Sequence, residues 1–227
     1  MPVKDPAGHD VSSAIEDYAK AIYALQTEEG GAVSNNALAD RLGVTAASAS
    51  GMVKRLDELG LVRHEPYRGV ALTDAGERVA LEVLRHHRLL ETYLAESLGV
   101  PWDRVHEEAE VLEHVLSEDL EAAIAAKLGH PTRDPHGDPI PTPDLEIDER
   151  ATRSLQALEP GERAVFVRVS DTRPEMLRYL AERGIRPGDE LAVVDKQPFG
   201  GPLFVRFGDE VHVLGGELAL VMRVEVT

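Results

Sequence analysis

The chain has 227 residues, 24 Lys and Arg against 41 Asp and Glu, a formal net charge of −17, and no cysteine. Those numbers exclude disulfides, iron–sulfur clusters and thiolate zinc sites. They also argue against a protein that coats nucleic acid indiscriminately.

Length allows two domains or three small ones. No apolar run approaches the roughly 18 residues of a membrane span, and the N-terminus has no signal-peptide pattern, so a soluble cytoplasmic protein without a membrane partner is expected. His9 lies in a polar N-terminal arm expected to be disordered. Residues 11–27 read as a helix, capped by Ser12 or Ser13, with Ile15, Ala19, Ile22 and Tyr23 as its apolar stripe. Gly30-Gly31 breaks it. Ser34 caps a short second helix over 36–42, Gly43 stops it, and Thr45 caps a third over 46–60 with Ala49, Val53, Leu56 and Leu59 facing inward. Residues 61–73 then alternate in strand fashion around a turn at 66–69.

Helix, short helix, glycine turn, helix and hairpin is the layout of a winged helix-turn-helix, placed at 1–73. Thr45, Ala47, Ser48, Ser50 and Gly51 at the start of the third helix are small enough for close approach to a major groove. Their hydroxyls and backbone N–H groups suit phosphates. Lys54 and Arg55 follow one to two turns later, and Arg68, with Arg63, His64 and Tyr67, falls on or beside the wing. Between 34 and 73, Arg41, Lys54, Arg55, Arg63 and Arg68 face Asp40, Asp57, Glu58 and Glu65, so this segment escapes the general acidity. Double-stranded DNA is the expected partner, read largely through phosphates and shape, since few side chains here make bidentate base contacts. A helical domain with an Ala-rich helix and no DNA contact has the same pattern.

A long helix is expected over 75–97, a break at Gly99-Val100-Pro101, and a second long helix over 103–127, together a helical domain at 74–144. Five prolines and two glycines make 129–143 a turn-rich connection, passing into a linker at 145–157. Beyond it, strands at 164–169, 190–195, 203–207, 211–214 and 218–226, with a helix at 174–183, suggest a small β-barrel at 158–227. The fold class is therefore mainly α with a small all-β domain.

The acidic helix carries the chemistry. His106, Glu110, Glu113 and His114 recur at i, i+4, i+7 and i+8, one sector at about 100° per residue. His87 and Glu91 are spaced i, i+4 on the preceding helix. Imidazoles with several carboxylates suit a borderline-to-hard divalent cation. A solvated amphipathic helix with incidental histidines is the bland alternative. His86 points about 100° from His87 and reads as surface. His130, His136 and His212 have no second donor at ligand spacing, and Trp102 reads as a helix-packing anchor. Val105, Ala109, Leu112, Leu116 and Leu120 are available for packing a dimer.

Together, Asp17-Tyr18 with Ile22-Tyr23, the helix-turn-helix, His87-Arg88-Leu89-Leu90-Glu91, Val105-His106-Glu107-Glu108-Ala109-Glu110 with Glu113-His114, and Pro135-His136-Gly137-Asp138-Pro139-Ile140-Pro141 resemble the diphtheria toxin repressor family of metal-dependent regulators. The C-terminal strands look like the SH3-like domain of its longer members. The resemblance implies a homodimeric repressor that binds operator DNA when a divalent metal binds between the DNA-binding and dimerisation domains. It implies a primary site of Asp17, Glu110, Glu113 and His114, and an ancillary site of His87, Glu91 and His106 with Asp171 as a ligand from the SH3-like domain. Iron-responsive members carry sulfur where this chain has Asp17 and Glu110, so manganese(II) is expected first and iron(II) second. Lys20 stands where short manganese regulators bind a second manganese through a carboxylate, and brings a cation of its own. A carboxylate–histidine metalloenzyme or a metal-buffering protein would use the same ligands. Neither needs a helix-turn-helix, and the chain lacks His-Glu-x-x-His, a phosphate-cradling glycine loop and Gly-x-Ser-x-Gly.

Overall fold

The computed structural model describes residues 12–65, 68–148 and 150–227. His9, Val11 at the expected helix start, and Pro66 and Tyr67 of the expected turn lie outside them. The described residues fall in two compact units, one drawn from residues 12–87, Glu110–Lys127 and Pro141–Glu146, the other from Arg88–Ala109, Leu128–Ile140 and Ile147–Thr227. Among the described residues no helix is long and apolar enough to cross a membrane.

In the first unit α1 (Ser13–Glu29), α2 (Asn35–Leu42) and α3 (Ala46–Glu58) precede a hairpin of β1 (Val62–Glu65) and β2 (Gly69–Leu72). Local chemistry sets the boundaries. Ser34 accepts from the Ala37 N–H to start α2, Gly43 ends it at φ 65°, and Thr45 accepts from the Ser48 N–H to start α3. Ile15, Ala19, Ile22, Leu38, Ala49, Val53, Leu56 and Val70 bury together, with Val79, Ala80 and Val83 of α4 (Asp74–Leu98) closing the core. Three helices and a two-stranded wing form the expected winged helix-turn-helix.

The acidic stretch is not one helix. It divides into α5 (Val105–Leu112), a 3₁₀ turn (Glu113–Val115) and α6 (Glu118–Lys127). Leu116 is extended at ψ 125°. Ser117 restarts the helix: its hydroxyl accepts from the Leu120 N–H at 3.3 Å, and its carbonyl from the Glu121 N–H at 2.8 Å. Glu118, Asp119 and Glu121 in the first turn favour a helix start there. The i+7 and i+8 spacing therefore does not place Glu113 and His114, which sit on the turn. The expected dimer stripe changes as well. Val105, Ala109 and Leu116 are buried within the chain, whereas Val111, Leu112, Val115 and Leu120 are exposed.

The second unit is built on one antiparallel sheet of order β3-β8-β4-β5-β6-β7. Its strands are β3 (Arg153–Ser154), β4 (Arg163–Val169), β5 (Glu190–Lys196), β6 (Leu203–Phe207), β7 (Glu210–Leu214) and β8 (Met222–Val226), with α7 (Pro174–Ala181) between β4 and β5. β3 and β7 remain edges, so the SH3-like sheet does not close into a barrel. Residues 218–226 are not a single strand either: α8 (Gly216–Val221) precedes β8. Leu218, Ala219 and Met222 are all buried, a helical rather than alternating spacing. Within the expected linker, Leu155 is fully buried in the core of this sheet with Leu158 just after it. Trp102 packs on that core, where its indole N–H donates to the Leu177 carbonyl of α7 at 3.2 Å.

The proline-rich turn is pinned to β4. The Val169 N–H donates to the His136 carbonyl at 3.0 Å. Gly137 has φ 91°, and a Cβ there would lie 1.9 Å from the Val167 carbonyl oxygen. Gly137→Ala should cost at least about 2 kcal/mol through overpacking and left-handed strain. A denaturant melt checks this, and an unchanged midpoint would contradict the close approach.

Candidate metal centres and nucleic-acid interface

Five of the expected ligands meet in the first unit, in two groups that share Glu113. Asp17 of α1, Glu113 and His114 of the 3₁₀ turn each offer a donor atom within 4.8 Å of one another, as do His87, Glu110 and Glu113. His114 is the hinge of this group: its Nε2 lies 3.0 Å from Asp17 Oδ1 and 3.5 Å from Glu113 Oε1. Its Nδ1 donates to Glu16 at 2.5 Å. Glu16, which the sequence reading missed, is buried. A carboxylate on one ring nitrogen fixes the tautomer and aims the other nitrogen, the arrangement found behind many metal-bound histidines.

Lys20 and His87 face the remaining acid. Lys20 Nζ donates to Glu110 at 2.8 Å and to the fully buried Glu113 side chain at 2.5 Å. His87 Nδ1 bonds Glu113 Oε2 at 2.5 Å, so His87, expected with the ancillary set, also serves Glu113. Burial pushes the Glu113 carboxyl up, but the His87 bond and the Lys20 charge outweigh it and hold it below its usual range. His86, expected at the surface, is buried and bonds Glu121 at 3.1 Å beside the Arg85–Glu121 pair.

A second group occupies the other unit. His106 Nδ1 lies 3.0 Å from Asp171 Oδ2 and 3.4 Å from Glu91 Oε1. The structure thus brings Asp171 to His106 and Glu91. It adds two donors that spacing could not reveal. Asp134 and His136 are buried and share a second 4.8 Å group with Glu91. His136 Nε2 donates to the Trp102 carbonyl at 2.7 Å, which leaves Nδ1, 3.7 Å from Glu91 Oε2, facing the carboxylates. That separation is too long for a hydrogen bond, and Nδ1 has no hydrogen-bond partner among the described residues. Asp134 accepts the His136 and Asp138 N–H groups. Burial, then the charges of Glu91 and Asp138, raise its carboxyl well above the usual range. A buried imidazole nitrogen without a bond, among crowded carboxylates, fits a divalent cation. Neither group contains sulfur, and oxygen with imidazole suits hard to borderline ions.

Protons stand in these groups where a metal would compete. Hydrogen bonds to Asp17 and then Glu16 push His114 up to about 10, and bonds to Asp171 and then Glu91 push His106 up to about 10. Both rings are therefore charged at neutral pH and must lose a proton to bind metal. Burial lowers His136, but Glu91 and then Asp134 outweigh it and push it up to about 9. Metal affinity should rise about tenfold per pH unit between pH 6 and 8 at the His114 group and about a hundredfold where His106 and His136 both bind, with about one proton released per histidine. Calorimetry in buffers of differing ionisation enthalpy measures this release; an affinity flat with pH would refute it. The linkage runs the other way for metal-free stability. Raised from 6.5, His114 and His106 contribute fully below pH 6.5 and lose their contribution as pH rises through about 10.

On α3 and the wing, Thr45, Ala47, Ser48, Ser50, Gly51, Lys54, Arg55 and Arg68 are all exposed. Several are engaged locally. Thr45 and Ser48 hydroxyls lie 2.9 Å apart, and Ser50 Oγ accepts from Asn35 at 3.0 Å. Arg68 pairs with Glu65 at 3.2 Å and Lys54 with Glu58 at 3.8 Å, while Arg55 has no acidic partner among the described residues.

A winged helix-turn-helix in one chain with two sulfur-free carboxylate–imidazole groups defines a metal-responsive DNA-binding regulator. Comparison with known proteins gives the family. Residues 10–70 match the iron dependent repressor N-terminal DNA binding domain, 73–142 the iron dependent repressor metal binding and dimerisation domain, and 153–226 the FeoA domain. The chain is 33% identical to the iron-dependent repressor IdeR of Mycobacterium tuberculosis, covering 96% of this chain and 99% of that one. It is 30% identical to the diphtheria toxin repressor of Corynebacterium diphtheriae, covering 95% and 98%. A solved structure described as a manganese-dependent transcriptional repressor complex with manganese is 43% identical, with a TM-score of 0.87 over 94% of this chain and all of the other. The chain belongs to the iron-dependent repressor family, whose members are iron- or manganese-dependent transcriptional repressors.

Proposed function

We propose that this chain is a manganese(II)-activated repressor of metal-ion homeostasis genes, with iron(II) the weaker effector, and that it has no catalytic activity. The observation that carries the metal choice is the donor set: every side chain in both groups offers oxygen or imidazole nitrogen. The family resemblance adds that Asp17 and Glu110 stand where iron-responsive members carry sulfur. Asp17, Glu113 and His114, with Glu110 beside them, would hold one cation. Glu91, His106 and Asp171, with Asp134 and His136, would hold another, and His87 stands one turn before Glu91 on α4. A bound divalent cation supplies the charge that lets these carboxylates stay close.

Domains divide as winged helix-turn-helix 1–73, helical dimerisation and metal-binding domain 74–144, linker 145–157 and SH3-like domain 158–227. The exposed Val111, Leu112, Val115 and Leu120 are the apolar surface for a homodimer. Asp17 ties α1 to the 3₁₀ turn, so metal at that point biases how the DNA-reading helices are held.

The test is binding to promoter DNA flanking the gene, at fixed ionic strength, with manganese(II), iron(II) or neither. Tight binding only with manganese is expected; equal binding with iron would remove the metal preference, and binding in neither would remove the regulator. Within that assay Arg55→Ala should weaken all sequences roughly tenfold and lower the salt slope by about 1, as loss of a phosphate contact does. A change confined to one sequence would make Arg55 a base reader instead.

A further inference from the structure

Four arginines converge in the second unit, in a chain where acid outnumbers base 41 to 24. Arg168 of β4 and Arg223 of β8 are direct cross-strand partners. Their side chains therefore leave the same face of the sheet, where like charges repel. Burial, and then the Arg168 charge, hold the Arg223 guanidinium below its usual range. Arg133 and Arg150 join Arg168 in lining a small open cleft, completed by Pro139, Val167 and Thr152. Thr152 connects Arg223 to that cleft, accepting from its Nε at 3.1 Å and its Nη2 at 2.7 Å.

Compensation is thin. Arg168 has Asp138 at 3.0 Å, but Asp138 is shared with Arg88 at 4.0 Å. The neighbours of Arg150, Asp148 and Glu225, stand at 3.9 and 3.7 Å. Arg133 donates to the Gly137 carbonyl at 2.6 Å and has no carboxylate partner among the described residues. Neither metal-type group uses any of these four side chains.

We infer that this cleft binds a small phosphate-type oxyanion, inorganic phosphate or pyrophosphate, through Arg133, Arg150, Arg168 and Arg223. Guanidinium forks match phosphate oxygens two at a time, and an anion with three or more acceptor oxygens can bridge arginines that otherwise repel. A carboxylate offers only two. The cleft is a short pocket walled by Pro139 and Val167, not the extended charged groove that follows a nucleic-acid strand. Arg133 lies on the same turn as Asp134 and His136, so the anion would fasten that turn to the sheet.

The test uses the full chain stripped of metal. Calorimetry with pyrophosphate and with inorganic phosphate, against chloride at matched ionic strength, should show saturable one-to-one binding. Arginine Nε resonances of Arg168 and Arg223 should shift in the wild-type chain. Arg168→Gln with Arg223→Gln should weaken binding about tenfold or more, and the exposed Arg150→Gln, which spares the sheet, should weaken it in the same direction. A response that merely follows ionic strength, binding unchanged in folded variants, or shifts produced by duplex DNA but not by pyrophosphate would each overturn the inference.

Discussion

Asp17→Ala should abolish metal-stimulated operator binding, by about 100-fold or more, while leaving a folded dimer. The scale follows from ligand chemistry: even the outer partners of metal ligands are worth 10- to 100-fold in affinity, and Asp17 is itself a donor. Stability should hardly move. The Asp17 side chain is more than a third exposed, and its 3.0 Å pair with His114 is a partly solvated ion pair, worth at most about 1 kcal/mol. His114 keeps its bond to the buried Glu16 in the variant. Fluorescence anisotropy with labelled operator, with and without manganese(II), reads the first claim, and a thermal melt reads the second. Full metal-stimulated binding in the variant would remove Asp17 from the mechanism. Loss of binding together with loss of fold would make its role structural. Glu16→Gln discriminates further, because the amide keeps the size but can present an N–H to His114 Nδ1. Metal affinity at this group should then fall while DNA binding at saturating metal persists.

The winged helix-turn-helix was legible because each of its boundaries is a local event. A hydroxyl at Ser34, a glycine at Gly43 and another hydroxyl at Thr45 are chemical signals that need no tertiary context. The metal groups were only partly legible. His87 and Glu91 are one turn apart on a continuous helix, so their spacing does put them on one face. Glu113 and His114 do lie beside Asp17, but not by the helical spacing read from the sequence, since the helix ends before them. The signal for that break, Ser117 followed by Glu118 and Asp119, was hidden in a run that looked uniformly acidic and helical. Asp134 and His136 carry no periodicity at all. Their donors converge on Glu91 because a proline-rich turn is pinned to β4 through the Val169 N–H and a glycine too tight for a side chain. Such placement depends on contacts between residues far apart in sequence. Glu16 was missed for another reason: an acid next to Asp17 on a polar helix has nothing to mark it as buried.

Lys20→Met should destabilise the metal-free protein by about 3 kcal/mol, the lower part of the range for breaking a buried ion pair from one side. Glu113 has a fully buried side chain and takes a 2.5 Å bond from Lys20. Burial alone would lower the lysine, but Glu113 and then Glu110 outweigh it and raise it, so the ammonium is charged at any physiological pH. Methionine keeps the length and removes the charge. Glu113 would then depend on His87 alone, and Glu110 would lose its 2.8 Å partner. The argument turns on what replaces that charge. In the wild-type chain Lys20 and the protonated His114 already hold the carboxylates together, so metal displaces a working arrangement rather than curing simple repulsion. In the methionine variant manganese(II) should therefore stabilise more than in the wild type, recovering about 2.7 kcal/mol at a hundredfold excess over its dissociation constant. Lys20→Glu carries the same reasoning one step further. It gives His87, Glu110 and Glu113 a further carboxylate and no internal cation, so the metal count per chain should rise by one, read by calorimetric stoichiometry. Melting of the three proteins with and without manganese(II) decides the matter. If Lys20→Met leaves the metal-free melt unchanged, the ammonium is not what stabilises Glu113. An unaltered metal count in a folded Lys20→Glu variant would show that the lysine does not stand in place of a second cation.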